Sequence, residues 1–181
     1  TGIKSITGKV IFDLSIYVEH TTPSGWVWED MGNYFGATPT AFMWADNTIN
    51  LDLRSGQAGT DVMLADGWSS DSPYKLDVSI QASTENKDNA WFYSAPKGNI
   101  IYGKGSIPAH KDRFTVKISD PDPVQSYAKH LRNLLGLENI TIQRSYTHIE
   151  YASARTLIEL SSPPLMEIIT LTNQKSINLY A

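Results

Sequence analysis

Four histidines, nineteen acidic residues and no cysteine set the limits of the chemistry this chain can carry. Without a thiol there is no cysteine nucleophile, no thiolate metal site and no disulfide. His20, His110, His130 and His148 stand far apart in no metal-ligand spacing, and HExxH, a glycine-rich phosphate loop and GxSxG are all missing. Asp120-Pro-Asp122 and the trio Asp61, Asp66 and Asp71 offer the hard oxygens that calcium favours. Their spacing is not that of an EF-hand, so turn and helix-capping roles suit them better. Glu150 with Glu159, or Glu159 with Glu167, would make a glycosidase pair only if the fold brought them together. Asn139-Ile-Thr141 has the form of a glycosylation sequon, a pattern too short to carry weight alone. The expectation is a protein that is not an enzyme and uses no metal or cofactor.

What remains is binding, and its candidates are aromatic. Trp68 sits in the turn-rich ADGWSSDSPY, where a large apolar side chain is hard to bury. In NAWFYSAPKGN, Trp91 and Tyr93 fall on one face of a strand and Phe92 on the other, with Lys97 close by. Sugar rings stack on exposed Trp and Tyr faces while a few polar groups satisfy their hydroxyls. Trp68, Trp91, Tyr93 and Lys97 are therefore the glycan-binding candidates, against the alternative that the tryptophans are core.

The elements that would position these residues are mostly strands. GKVIFDLSIYVEH alternates Val10, Phe12, Leu14, Ile16 and Val18 on one face. Strand patterns follow at 26–28, 40–44, 48–53, 60–64, 74–82 and 113–119, separated by turn-forming stretches. One helix is expected at 123–135, with Pro123 in its first turn and Gly136 as its stop. Further strand patterns lie at 140–146, 155–161, 166–172 and 176–181. At 181 residues this reads as an all-β sandwich with one inserted helix. A net charge of −4 argues against a nucleic-acid partner. No apolar run is long enough for a transmembrane helix. The chain opens on Thr1-Gly2, consistent with a removed leader or an engineered start.

Gly8-Lys-Val10 with Ser15-Ile16, followed by Trp26-Val-Trp28-Glu29, resembles the opening of FaeG-type chaperone–usher fimbrial adhesins. The resemblance implies an incomplete immunoglobulin-like sandwich completed by donor-strand complementation. Residues 1–18 would then be a donor-strand extension presenting Val10, Phe12, Leu14, Ile16 and Val18, and residues 19–181 the immunoglobulin-like domain. Tyr180, next to last, resembles the pilin residue that chaperones grip. The implied partners are other pilus subunits, a periplasmic chaperone, an outer-membrane usher and a host glycan. The implied place is a bacterial cell-surface fimbrium reached through the periplasm. The alternatives are a stand-alone carbohydrate-binding module or lectin, whose first strand pairs internally, and a hydrolase whose acidic residues converge in the fold.

Overall fold

The computed structural model describes residues 5–17, 22–65, 68, 72–136, 139–150 and 153–180. In chain order the elements are β1 (Lys9–Asp13), a single turn α1 (Trp28–Met31), β2 (Thr48–Ser55), β3 (Met63–Leu64), β4 (Lys75–Ser83) and β5 (Asn89–Ser94). They continue with β6 (Ile100–Pro108), β7 (Lys111–Ser119), α2 (Pro123–Leu135), β8 (Thr141–Ser145) and α3 (Leu165–Lys175). Short 3-10 turns occupy Tyr34–Gly36, Ala45–Asn47 and Asn178–Tyr180.

Two three-stranded sheets, ordered β3-β2-β7 and β4-β6-β5, share one core. Alternation within each strand sends Leu51 and Leu53, Ile80, Phe92, Ile101 and Ile107, and Val116 and Ile118 into it. Phe92 is wholly buried. Gly103 makes room for its ring, since a Cβ there would lie 2.8 Å from Phe92 Cε1. That requirement explains why β6, with Gly103 and Gly105 in its interior, carries no strand pattern in the sequence.

A second, smaller core forms where two segments far apart in sequence meet. β1 pairs in parallel with β8, from Lys9 opposite Thr141 to Asp13 opposite Ser145. Phe12 and Leu14 pack there against Val124 and Ala128 of α2, and Phe12 meets the Phe42 ring edge-on at 5.2 Å. Helix α2 has the expected bounds and caps. Asp122 accepts a hydrogen bond from the Gln125 N–H, Pro123 takes the first helical position, and Gly136 closes it in the left-handed conformation.

This mixed α/β architecture overturns the all-β, immunoglobulin-like sandwich completed by a donor strand. Residues 9–13 pair within their own chain. Val10 is half-buried and Phe12 and Leu14 are buried, whereas Ile16 is 72% exposed and Val18 lies outside the described residues. The pattern at 166–172 belongs to α3, because β-branched residues disfavour a helix by less than about 1 kcal/mol each. Pro164 starts that helix, its carbonyl accepting from the Glu167 and Ile168 N–H groups. Trp28 opens α1 rather than continuing a strand from Trp26, residues 41–42 form a bend, and neither 40–44 nor 155–161 forms a strand. Residues 178–180 are a 3-10 turn.

The two cores are joined by a buried polar knot. Tyr74 OH donates to Asp120 Oδ1 at 2.5 Å, the Asp122 N–H donates to the same oxygen, and Asp122 pairs with Arg144 of β8. Burial holds the Asp120 carboxyl above its ordinary value of 3.8. A carboxyl raised by folding favours the fold most below that ordinary value and loses this contribution as pH rises through the raised one. Thermal melts across the acid range should therefore show Asp120→Asn removing a fall in stability that the wild type suffers above about pH 4. Parallel melting curves for the two proteins would contradict this account.

Candidate functional site

Exposed polar side chains gather in a bend at the end of α3. That helix stops at Ser176, whose backbone is left-handed (φ 51°, ψ 52°) and whose N–H bonds the Thr172 carbonyl. The reversal turns the chain directly into the Asn178–Tyr180 turn, so Ser176 and Asn178 stand exposed within one bend. Asn178 Nδ2 donates to the Phe35 carbonyl at 2.9 Å, Leu179 is buried, and Tyr180 OH donates to Asp46 Oδ1 at 2.5 Å. The hydrogen bond to Asp46 is the main reason the Tyr180 phenol is pushed up to about 12.

Both anchors are themselves rigidly held. Phe35 belongs to a segment stapled by buried Asn33, whose side chain donates to the Glu29 carbonyl (2.7 Å) and accepts from the Phe92 N–H (3.2 Å). Glycine is needed at both ends of that segment. A Cβ on Gly32 would lie 2.1 Å from the Phe92 carbonyl oxygen, and one on Gly36 1.9 Å from that of Asp30. Asp46 sits in the middle of three left-handed residues, Ala45, Asp46 and Asn47. The buried Asn47 side chain sustains this uncommon run by accepting from the Trp44 N–H (3.1 Å) and donating to the Thr38 carbonyl (2.9 Å). Lys117 Nζ lies 3.8 Å from Asp46.

Two grooves flank the bend. One, of about 630 Å³, runs between Trp26, Asp30, Phe35 and Asn178. The other, of about 690 Å³, is walled by Tyr17, Ala41, Met43, Ile168 and Leu171. Leu179 and Tyr180 line both and form the ridge between them. Asp30 is the one charged side chain among the described residues lining the first groove.

The 181-residue chain matches the D-Ala-D-Ala carboxypeptidase 3 (S13) family across residues 1–181. The chain belongs to that family. It is 28% identical over 192 aligned positions to the penicillin-sensitive carboxypeptidase A of Dictyostelium discoideum, covering 96% of this chain and 35% of that protein. Its fold is similar to that of penicillin binding protein 4 from Haemophilus influenzae, with a TM-score of 0.72 at 18% identity over 96% of this chain and 39% of that one. The same enzyme complexed with a β-lactam aligns with a TM-score of 0.57 at 15% identity, covering 37% of its chain. This S13 chain thus spans little more than a third of the length of these relatives. Membership of a peptidase family overturns the fimbrial adhesin reading and the expectation that the protein is not an enzyme. The pilus subunits, chaperone, usher and host glycan fall with that reading.

Penicillin-binding enzymes carry three short motifs, a Ser-x-x-Lys with the nucleophile, a Ser-Asp-Asn type triplet and a Lys-Thr-Gly. Ser176-Ile177-Asn178 has the form of the second. Lys-Thr-Gly does not occur in this sequence, and Ser-x-x-Lys occurs at 72–75, 94–97 and 126–129. None of those six residues lines either groove beside the bend; of the Ser176-Ile177-Asn178 triplet, Asn178 lines the first. Lys75 begins a strand, Ser94 is buried at the end of one, and Ser126 Oγ is 3.0 Å from Tyr74 OH within the polar knot.

The other sequence candidates lie elsewhere. Trp68 is half-buried against the main core, whereas Trp91 is 42% exposed and Tyr93 half-buried on the outer face of β5. Lys97 donates to Tyr146 OH at 3.1 Å and lies over that ring. Tyr180 serves as the anchor of the bend described above. His130 packs against Trp44, His148 Nδ1 is 3.5 Å from Asp13, and Glu150, Glu159 and Glu167 are exposed. Among the described residues no group of three His, Asp or Glu could hold a metal, while Asp66, Asp71 and His20 lie outside them. Reading the sequence passed over the Ser176-Ile177-Asn178 triplet, which stands at the end of α3.

Proposed function

We propose that this chain forms one wall of the active site of a serine D-Ala-D-Ala carboxypeptidase, with Ser176 and Asn178 as its catalytic contribution. The observation that carries this reading is the left-handed Ser176, which ends α3 and turns the chain so that Asn178 of the Ser-x-Asn triplet lines a groove. In such a reaction a serine hydroxyl, with the Ser-x-x-Lys lysine beside it, attacks the carbonyl of the D-Ala-D-Ala peptide bond. The terminal D-Ala leaves with a proton on its nitrogen, and water then hydrolyses the acyl-enzyme. Ser176 Oγ can both accept and donate, so it suits passing a proton to the leaving amine. The Asn178 amide, already pinned by Phe35, presents its oxygen to the N–H of a bound peptide and holds it in register.

The nucleophile and the third motif come, in this reading, from the remainder of the enzyme. A surface suited to that remainder exists. Leu157, Ile158, Leu160, Leu165 and Met166 are all exposed, on the extended segment before α3 and on the helix itself. So many neighbouring apolar side chains are costly to leave in water. The peptide stem of peptidoglycan is the substrate that the family's reaction implies.

The test is release of D-Ala from a short peptide ending in D-Ala-D-Ala by the full-length enzyme, with and without prior acylation by penicillin. Turnover abolished by penicillin is expected. No turnover, or turnover indifferent to a β-lactam, would overturn the proposal.

A further inference from the structure

The outer face of the β4-β6-β5 sheet carries a set of side chains that the peptidase reaction leaves unused. Trp91 lies opposite Lys104, and Tyr93 opposite Tyr102. On the far side of β6, Ser79 lies opposite Lys104 and Asp77 opposite Tyr102. All are on the face turned away from Phe92 and Ile101, and Trp91 and Tyr102 are 42% and 46% exposed. Lys104 Nζ sits 4.8 Å above the Tyr93 ring, which fixes a cation beside the aromatic row. A sheet face left to solvent normally carries small and charged residues, so three clustered rings with hydrogen-bonding groups between them are a departure.

This surface is continuous with the groove at Asn178. The Trp91 ring meets Phe35 edge-on at 6.3 Å, and Phe35 lines that groove beside Asn178. Tyr34 also meets Phe35 edge-on, at 5.4 Å. A molecule whose one part occupies the groove therefore has a direct route onto the sheet. In the substrate class assigned above, peptide stems hang from a long chain of linked amino sugars. We propose that this face binds that glycan strand while the stem enters the groove. The inference rests on the carboxypeptidase reading.

The chemistry fits a sugar chain better than a protein partner. Pyranose rings have apolar faces that stack on aromatic rings and polar edges that need donors and acceptors. Alternate residues along a strand are about 7 Å apart, so successive rows offer repeated stacking positions along a flat surface. Lys104, Asp77 and Ser79 supply the interspersed polar groups. The occupant is a glycan of the enzyme's own polymeric substrate.

Glycan strands stripped of their peptide stems provide the probe, with binding to the full-length enzyme followed by tryptophan fluorescence. The double variant Trp91→Ala with Tyr102→Ala should bind them at least about tenfold more weakly than the wild type. Tyr102→Ala alone should weaken strand binding while D-Ala release from a short soluble peptide is unchanged. Should the double variant melt early, Tyr102→Ala and Lys104→Gln singly decide the matter, since both side chains are exposed. Undiminished binding by these variants overturns the proposal. So does a wild-type enzyme that ignores stripped strands, as it would if this face were covered by the rest of the enzyme. Failure of the carboxypeptidase reading would look different, with stripped strands bound but no D-Ala released by the wild type.

Discussion

Replacing Ser176 with Ala in the full-length enzyme is expected to lower kcat/KM on a D-Ala-D-Ala peptide by about 10²–10⁴-fold, the usual contribution of a positioned proton-transfer group. The melting temperature should barely move. Ser176 is exposed and its role in ending α3 uses its backbone N–H, not its hydroxyl. The left-handed backbone costs Ala about what it costs Ser, since both carry a Cβ. A group that passes a proton only during reaction should depress kcat with little change in KM, and acylation by penicillin should slow in parallel. A variant that kept full turnover would remove Ser176 from the mechanism. One that lost activity only in proportion to its stability would reduce it to a structural helix stop.

Phe92→Ala should have the largest effect on folding. The side chain is wholly buried among Ile80, Ile101 and Ile118, and truncating such a ring costs about 3–5 kcal/mol. For a protein of this size that corresponds to a fall of roughly 10 °C in melting temperature. The cavity cannot relax easily, because Gly103 already brings the β6 backbone against the ring and has no side chain to move in. The Phe92 backbone also accepts and donates hydrogen bonds with Asn33, which leads directly to Phe35. Activity should therefore disappear at a lower temperature than in the wild type, while kcat at low temperature stays near normal. A loss below about 1 kcal/mol would show that the site collapses around the gap.

The parts of the fold visible in the sequence were those governed by local rules. Helix α2 announces itself through Pro123, the spacing of Val124, Tyr127, Leu131 and Leu135, and Gly136. Strands β1, β2, β4 and β7 alternate cleanly because one face of each is buried. Features that depend on distant partners were not visible. β6 hides behind the glycines that accommodate Phe92. α3 carries Ile168, Ile169, Thr170 and Thr172, a composition typical of strands, and none of its apolar side chains is buried among the described residues. Its sequence is thus written for contacts not found among them. The site was hidden for a similar reason. Ser176 and Asn178 are ordinary polar residues until a left-handed turn brings them into one bend and sets Asn178 in a groove wall. A three-residue motif has too little information to stand out alone. Trp91 and Tyr93 were placed on one strand face from alternation, but Tyr102 could join them only through the β5–β6 register.

The parallel pairing of Lys9–Asp13 with Thr141–Ser145 has a consequence for biosynthesis. At a translation rate of about 5–20 residues per second, β1 waits on the order of ten seconds before its partner leaves the ribosome. The six-strand body encoded between them can be complete by then, since every strand it contains lies between residues 48 and 119. Phe12 and Leu14 must meanwhile stay exposed, an adhesive segment during a vulnerable interval. Closure also joins two positions far apart along the chain, which makes this small core the slowest part to form. Aggregation of nascent chains should therefore be governed by residues 10–14 more than by the larger core, although the larger core holds most of the buried side chains.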